Sequence, residues 1–276
     1  MTRDISALIE RPEGGNPSAS AKVRYTLATL VNDPVQYIGM LASFRAGGFT
    51  ADDCEYLFID NSSENHTCAY RGLDAMLSAA AGDVVILCHQ DVRLLNDTRQ
   101  TLDARLAQLK ERDADWALAG NAGAVAPGNL ALRITDPHGS DQNTAVWPAR
   151  VMSLDENFIV VRRSARIGFS RDLSGYHLYG ADICLNAAMA GYTAYVIDFH
   201  LAHLSAGNKG TAFKAAEFAF RQKWSAALAP RWMQTTCTLV RLSGDPIGQL
   251  AGQMTARPLA SLLRRRWLIE GARRGA

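Results

Sequence analysis

The sequence predicts an α/β fold in which a mainly parallel β-sheet is flanked by helices. Three apolar runs rich in β-branched or aromatic residues occur early in the chain: Val23–Val31, Glu55–Ile59 and Val84–Cys88. Each run has the length of a strand and ends at polar side chains, and residues with helical apolar spacing separate one run from the next. The order strand–helix–strand–helix–strand predicts parallel strands joined by crossover helices, as in a doubly wound sheet.

The two connecting helices carry start and stop signals. Asp33 is a good N-cap, Pro34 suits the first helical position, and Gly47 with Gly48 ends the first helix. The apolar stripe expected for this helix consists of Val35, Ile38, Leu41 and Phe44. The second helix ends at Gly82, and its expected stripe consists of Leu73, Met76, Leu77 and Ala80.

The same alternation continues after residue 91. Asn96-Asp97-Thr98 is expected to cap a helix with the apolar stripe Leu102, Leu106 and Leu109. Ala124–Pro148 contains three prolines and several glycines, so a long loop is expected there, and a loop of this length in a compact domain is usually functional. The remaining expected elements are strands at Trp116–Ala119, Phe158–Val161 and Tyr192–Ile197, a helix at Asp182–Ala190 and a long helix that contains Phe213 and Trp224.

Composition excludes several classes of protein. The chain has 276 residues, 48% hydrophobic and 20% charged, which is typical of a soluble globular protein. A net charge of +2 offers no global attraction for nucleic acid. Five scattered cysteines without a Cys-x-x-Cys pair favour a reducing compartment. With no apolar leader and no run of about 20 apolar residues, a cytoplasmic location is expected.

Three segments are expected along the chain: a mobile leader at 1–21, the main domain at 22–228 and a basic helical extension at 229–276. The last 26 residues carry six arginines against one acid, Glu270. Such a tail could bind peripherally to the inner face of a membrane, or it could be a soluble helix with solvated charges. The sequence leaves both interpretations open.

Polar residues follow each of the first three strands. Asn32 follows the first, Asp60 and Asn61 lie at the end of the second, and Gln90 and Asp91 follow the third. In open α/β sheets, ligands bind beyond the carboxyl ends of the strands, so these side chains are candidates for ligand contacts. The alternatives are an Asx-turn or a helix cap, which are common roles of Asp after a strand.

Four motifs in order resemble family 2 glycosyltransferases of the GT-A fold, in the subgroup that has His-Gln-Asp in place of Asp-x-Asp. The motifs are Phe58–Ser63, Cys88–Val92, His177–Leu185 and His200–Gly207. The resemblance covers about Val23 to Trp224. It implies a GT-A-like fold and inverting transfer of a sugar from a nucleoside-diphosphate donor to a glycan, lipid-linked or other hydroxyl acceptor. Bacterial glycan or polysaccharide synthesis is the implied setting.

The resemblance also implies roles for individual residues. Asp91 would bind Mn²⁺ or Mg²⁺ at the donor diphosphate, His203 would be a further metal ligand, and Asp182 would be the general base. His89 would order Asp91. The implied donor-binding residues are Asn32, Asp60, Asn61, Arg71, Gln90 and Asp91, and the implied acceptor-side residues are His177 and Tyr179.

These roles are chemically consistent. A divalent ion held by a carboxylate stabilises the charge of a departing diphosphate, and an added imidazole shifts the preference from Mg²⁺ towards Mn²⁺. The dipole at a helix start favours the ionised form of Asp182, as a base requires. The structural alternatives are an N-cap for Asp182, a backbone-bonded histidine for His203, a solvated arginine for Arg71, and packing beside the Asp182 helix for His177 and Tyr179.

Two rival functions remain open at this point. One is a GT-A-like module that binds a nucleotide or a glycan without turnover. The other is a metal-dependent hydrolase that uses His200 and His203, although their spacing is not the His-x-x-x-His of a helical zinc pair.

Overall fold

A computed structural model describes residues 5–14, 17–18, 21–207 and 210–274 of this chain, with side chains as far as residue 263. It divides into two units, Met1–Phe218 and Ala219–Ala276. The α-helices are α1 Pro34–Ala46, α2 Ala69–Ala79, α3 Arg99–Arg112, α4 Tyr179–Met189, α5 Thr211–Leu228 and α6 Pro246–Arg274. The first eight strands are β1 Tyr25–Val31, β2 Cys54–Asp60, β3 Val84–Cys88, β4 Val92–Leu94, β5 Trp116–Gly120, β6 Ala122–Ala126, β7 Asn129–Asp136 and β8 Gly139–Asn143. They are followed by β9 Ala149–Val151, β10 Ser153–Leu154, β11 Phe158–Arg162, β12 Thr193–Val196, β13 Leu201–His203, β14 Arg231–Gln234 and β15 Leu239–Leu242.

The main sheet has seven strands in the order β2-β1-β3-β11-β5-β12-β9. Strands β1, β2 and β3 pair in parallel, as do β5 and β12, whereas β11 and β9 run antiparallel to their neighbours. The architecture predicted from the sequence, a mixed and mainly parallel sheet flanked by helices, is confirmed. The carboxyl ends of β1, β2 and β3 lie side by side, because these parallel strands are neighbours in the sheet.

The prediction of a long loop over Ala124–Pro148 is wrong. This segment forms antiparallel hairpins from β6, β7 and β8, which belong to a second sheet in the order β10-β6-β7-β13-β4. Pro127 and Pro137 lie in the turns between these strands, where no ladder hydrogen bond is needed from their nitrogen. The prolines therefore mark the hairpin turns.

Helix α1 begins as predicted but buries a different face. The Asp33 carboxylate accepts hydrogen bonds from the N–H groups of Val35 at 2.9 Å and Gln36 at 3.2 Å, which confirms the N-cap. Val35 and Ile38, however, are largely exposed. The buried face consists of Tyr37, Met40, Leu41 and Phe44. This face shares half of the predicted stripe and adds two larger side chains, so it removes more apolar area from water.

Helix α4 starts three residues before its predicted start. Leu178 precedes it with φ 64°, and the Asp182 N–H already donates an intrahelical hydrogen bond to the Leu178 carbonyl at 3.0 Å. Asp182 therefore lies within the first turn and is not the N-cap. Close packing holds this turn, because a Cβ at Gly180 would lie 2.3 Å from the Leu154 carbonyl oxygen.

The unit Ala219–Ala276 contains the antiparallel hairpin of β14 and β15 and the helix α6. No helix among the described residues combines the length and the apolar character needed to cross a membrane. The boundary predicted between residues 228 and 229 stays a prediction, as does the mobile leader.

Candidate functional site

Two strands from distant parts of the chain bring an aspartate and a histidine together. Asp91 lies between β3 and β4, directly before Val92. Strand β13 pairs antiparallel with β4 so that His203 lies opposite Val92, and the Leu204 N–H donates to the Asp91 carbonyl at 3.1 Å. The pairing of these two short strands therefore places the His203 imidazole beside the Asp91 carboxylate.

The two side chains form a group with His89 that could hold a metal ion. One Asp91 carboxylate oxygen (Oδ1) lies 3.4 Å from His203 Nε2 and 3.9 Å from His89 Nδ1. One ligand atom from each of the three residues lies within 4.8 Å of the others. His89 Nε2 lies 2.6 Å from the Tyr179 hydroxyl oxygen, so its Nδ1 remains directed at Asp91. A ligating histidine whose second nitrogen is held by another group is the usual arrangement at metal sites.

The three side chains of this group shift one another's pKa values. Burial alone would raise the pKa of Asp91, but the hydrogen bond and charge of His203 and the charge of His89 lower this pKa. Burial also acts to lower the pKa of His203, but the hydrogen bond to Asp91 and its charge outweigh burial and raise that pKa. Burial and the charge of His203 lower the pKa of His89. Asp91 is thus ionised and His89 neutral near pH 7, the forms in which both bind metals, whereas the raised pKa of His203 means that this imidazole must release its proton before it can bind one.

A cavity of about 370 Å³ lies at the carboxyl ends of β1, β2 and β3. Five of the predicted site residues line this cavity: Asn32, Asn61, Gln90, Asp91 and Tyr179. Its remaining polar lining consists of Asn65, His89, Glu156 and Tyr176, and its apolar lining includes Leu30, Val31, Ala69, Leu73, Leu87 and Cys88. A concave site with apolar walls and a few convergent polar groups is typical of small-molecule binding.

Amide side chains hold the wall of this cavity in place. Gln90 Oε1 accepts hydrogen bonds from the N–H groups of Asn32 at 2.8 Å and Asp33 at 2.9 Å, and Gln90 Nε2 donates to Asn32 Oδ1. Asn61 Nδ2 donates to the Thr67 carbonyl at 2.9 Å and to the Tyr176 hydroxyl at 3.2 Å. The end of β3 is therefore tied to the turn between β1 and α1, so the wall is ordered before any ligand binds.

Besides His203, which joins the site through its contact with Asp91, four predicted site residues do not line the cavity. Asp60 Oδ1 accepts from the Ser62 N–H at 2.7 Å, which is an Asx-turn, and the hydrogen bonds from Ser62 lower the pKa of Asp60. Arg71 is exposed on α2. His177 packs edge-on against Phe213, with ring centroids 5.4 Å apart. The fourth residue is Asp182.

Asp182 is fully buried in helix α4. Its two carboxylate oxygens accept hydrogen bonds from the Ser170 N–H at 2.8 Å and the Ser170 hydroxyl at 2.7 Å, and Asn186 Nδ2 lies 3.3 Å from one of them. A general base must contact the proton that it removes. In this conformation Asp182 is not exposed to an acceptor, so its catalytic role stays a prediction that requires a rearrangement of its surroundings.

Glu156 is a cavity residue to which the sequence analysis assigned no role. It precedes β11, and its Oε1 accepts a hydrogen bond from the Gly180 N–H at 3.3 Å. Burial raises the pKa of Glu156 to about 8, against the lowering effect of backbone N–H groups at the start of α4. The raised pKa of Glu156 results from burial by segments that are distant in the sequence, and local sequence does not reveal such burial. The sequence also assigned His89 only an ordering role, although its place beside Asp91 in the motif was the available signal.

His200 does not belong to the metal-binding group. Its Nε2 lies 2.9 Å from the Thr135 hydroxyl oxygen, and its Nδ1 lies 3.6 Å from an Asp141 carboxylate oxygen. The ligand group found among the described residues contains His203 with His89 and Asp91. The geometry therefore gives no support to a hydrolase site built from His200 and His203.

Fold and site together define a mixed α/β protein with a small-molecule cavity and an adjoining His-Asp-His group. A protein of Fuscovulum blasticum named ATP synthase subunits region ORF 6 is 40% identical to this chain over 185 residues, which cover 65% of this chain and 74% of the relative. The chain belongs to the family of that protein, whose name states no activity. No family model matches the chain.

Two solved structures are similar to part of this chain. One is the mannosyltransferase PcManGT from Pyrobaculum calidifontis in complex with GDP-Man and Mn²⁺, with a TM-score of 0.45 and 15% identity over 75% of this chain and 63% of that chain. The other is TarS 1-349 of S. aureus in complex with UDP-GlcNAc, with a TM-score of 0.48 and 12% identity over 70% of this chain and 61% of that chain. This chain spans less than two thirds of the length of both.

Proposed function

We propose that this protein is an inverting glycosyltransferase that moves a hexosyl group from a nucleoside-diphosphate donor to an acceptor hydroxyl in bacterial glycan or polysaccharide synthesis. One observation carries the proposal: Asp91, in the His-Gln-Asp motif of the family 2 resemblance, lies between His89 and His203 at the edge of the strand-end cavity. A nucleotide diphosphate needs a compensating cation and a partly apolar cavity, and the two adjoin here.

The donor is proposed to occupy the cavity with its diphosphate towards Asp91. Asn32, Asn61 and Gln90 present neutral amides, which can hydrogen-bond a base or a ribose without adding charge. Asp60 at the end of β2 and Arg71 on α2 keep their proposed roles towards the ribose and a phosphate. Both would require a donor that extends beyond the cavity, since neither residue lines it.

Mn²⁺ fits the proposed metal site better than Mg²⁺. The candidate ligands are one carboxylate, Asp91, and two imidazoles, His89 and His203. Mg²⁺ prefers oxygen ligands, whereas nitrogen ligands are accepted by Mn²⁺ and later metals of the series, including Zn²⁺. A bound divalent ion would supply Lewis-acid stabilisation of the leaving diphosphate. Tyr179 would position His89 through the 2.6 Å contact between its hydroxyl and Nε2.

Glu156 is the carboxyl group best placed to receive the acceptor proton. It lines the cavity, whereas Asp182 is buried behind hydrogen bonds from Ser170. With a pKa near 8, Glu156 is largely protonated at neutral pH and becomes a competent base as the pH rises through that value. His177 retains its proposed acceptor-side role. Direct attack by the acceptor hydroxyl on the anomeric carbon, with departure of the diphosphate, inverts that carbon and needs no protein nucleophile.

The proposal is tested by thermal-shift measurements followed by turnover. The full chain is screened against nucleoside diphosphates and their sugar derivatives, each with Mn²⁺, Mg²⁺, Zn²⁺ or chelator. A ligand that binds only the folded state adds about 2.7 kcal/mol of stability at a hundredfold excess over its dissociation constant. A metal-dependent shift with one nucleotide, lost in Asp91→Asn and kept in the matched surface control Glu111→Gln, supports the donor site.

Turnover then separates transfer from binding. The nucleotide sugar identified in the screen is incubated with glycan and lipid-linked acceptors, and release of the nucleoside diphosphate is followed together with product stereochemistry. Consumption of the donor with an inverted product supports the transferase. A donor that binds but is not consumed with any acceptor would favour the non-catalytic nucleotide- or glycan-binding module. Failure of every nucleotide to bind would contradict the transferase and a nucleotide-binding module alike.

A further inference from the structure

Charge is distributed very unevenly between the two units. Ala219–Ala276 contains ten Lys and Arg residues and two acidic residues, Asp245 and Glu270. The whole chain carries only +2, so the unit Met1–Phe218 is acidic overall. Three consecutive arginines, Arg264–Arg266, lie in the second half of α6. The smaller unit is therefore a local source of positive potential on a nearly neutral protein.

Helix α6 also exposes a row of large apolar side chains. Ile247, Leu250 and Met254 are 80%, 58% and 72% exposed. Their spacing of three and four residues puts them on one face of the helix, which we call the apolar stripe. Arg257 is exposed three residues after Met254, so it borders the stripe.

The opposite face of α6 is already occupied. Gly252 is buried, and a Cβ at this position would lie 2.4 Å from the Cβ of Arg241 on β15. Gly252 is two residues from both Leu250 and Met254, which places it on the far side of the helix from them. The hairpin of β14 and β15 thus packs on the small-residue face and leaves the apolar stripe uncovered within its own unit.

We infer that α6 docks this unit on an anionic phospholipid surface. The apolar stripe would enter the boundary between headgroups and acyl chains, while the arginines would stay at the level of the lipid phosphates. The helix would lie on the membrane and not across it, in agreement with the absence of a spanning helix among the described residues. The inference rests on charge and exposure in this unit and does not depend on the proposed transferase activity.

A lipid surface explains both features, whereas a nucleic acid explains only one. Phosphates of RNA or DNA attract arginines as lipid headgroups do, but a backbone of phosphates and sugars gives no apolar phase for Ile247, Leu250 and Met254. Charge attraction and apolar burial act together in the binding of amphipathic helices to anionic membranes. The two explanations make different predictions: loss of the apolar stripe should weaken binding to a lipid surface but not binding to a nucleic acid.

The test is co-sedimentation of the full chain with vesicles of equal parts phosphatidylcholine and phosphatidylglycerol, and with vesicles of phosphatidylcholine alone. The charge variant is Arg264→Gln/Arg265→Gln/Arg266→Gln, and the apolar variant is Ile247→Gln/Leu250→Gln/Met254→Gln. The matched control, with the same loss of charge on the other unit, is Lys110→Gln/Arg163→Gln/Arg166→Gln. Circular dichroism and thermal melting establish that each variant is folded.

We expect the chain to bind the anionic vesicles and not the neutral ones, with binding weakened by salt because of screening. The charge variant should bind the anionic vesicles on the order of a hundredfold more weakly, the apolar variant should bind them at least about tenfold more weakly, and the control should match the wild type. Equal binding to neutral vesicles, or no loss in the folded charge variant, would overturn the inference. A third result would overturn the inference in favour of nucleic acid: the wild type binds no vesicles, and both the wild type and the apolar variant bind a single-stranded RNA equally well.

Discussion

Replacement of Asp182 by asparagine separates a structural from a catalytic role for this carboxylate. Asp182 lies in the first turn of α4, fully buried, and accepts hydrogen bonds from the Ser170 N–H at 2.8 Å and the Ser170 hydroxyl at 2.7 Å. These bonds tie α4 to the segment that precedes it. The variant keeps the shape of the side chain but removes its charge, so it tests what the charge does.

The expected cost follows from these two bonds. A hydrogen bond to a charged group contributes about 1.5–3 kcal/mol and one between neutral groups about 0.5–1.5 kcal/mol. Asp182→Asn replaces two hydrogen bonds to a carboxylate by two bonds between neutral groups. The variant should therefore lower the free energy of unfolding by about 2–3 kcal/mol. For a protein of this size each kcal/mol moves the melting temperature by about 2–4 °C, so a decrease of about 4–12 °C is expected.

The assay combines urea unfolding, followed by circular dichroism, with donor turnover measured well below the melting temperature. Ser170→Ala is the matched variant, because it removes the hydroxyl from the other side of the same contact. If the contact is structural, both variants lose stability, their effects are not additive in the double variant, and turnover of the folded fraction stays near the wild-type value.

A different result would refute this reasoning. If Asp182→Asn unfolds at the wild-type urea concentration but turns over on the order of 10²–10⁴-fold more slowly, while Ser170→Ala is normal, Asp182 is the base. The surroundings of α4 must then open during the reaction, and the buried state described here is a resting conformation.

Three further predictions concern the cavity and its surroundings. Asp91→Asn should abolish the rise in melting temperature caused by Mn²⁺, because one of three candidate ligands is lost. The control Glu111→Gln should keep this rise, and a full Mn²⁺ shift in Asp91→Asn would show that Asp91 is not a metal ligand. Glu156→Gln should flatten the pH dependence of stability. Because the pKa of Glu156 is raised, the folded wild type holds a proton that the unfolded chain has lost, so wild-type stability falls as the pH rises towards and through about 8. The variant-minus-wild-type difference in melting temperature should therefore grow over this range, and a constant difference would contradict the burial of Glu156. Gly180→Ala should cost about 1–3 kcal/mol in urea unfolding, since the added methyl would lie 2.3 Å from a backbone carbonyl oxygen, whereas Gly244→Ala, with no atom within 4 Å of the added methyl, should behave like the wild type.

Some parts of the site could be predicted because their signals are local. Asp91 follows a short apolar run, and a run of this length with a polar exit is typical of a buried parallel strand that ends at a ligand edge. Asp33 and Pro34 form a helix start within two residues, and the structure reproduces it. Thr98 caps α3, and the predicted stripe of Leu102, Leu106 and Leu109 is buried.

Other parts could not be predicted because they depend on contacts between distant segments. His203 reaches Asp91 only through the pairing of β13 with β4, a register that its local sequence does not specify. A segment rich in proline and glycine can form either a long loop or hairpins joined by turns. The composition of residues 124–148 therefore could not distinguish a loop from the hairpins that the structure shows. The buried face of α1 depended on which of two overlapping stripes met the sheet.

The sequence by itself determined the alternation of strands and helices, the polar residues that end each of the first three strands, and the concentration of arginines in the last unit. These properties follow from periodicity and composition, which act over a few residues. Only the tertiary structure decided which carboxylates face the cavity: Glu156 lines it, and Asp182 is buried behind Ser170. The physical reason is that burial, pKa and metal-ligand geometry depend on groups from distant segments packed around each side chain, so they exist only after the chain has folded.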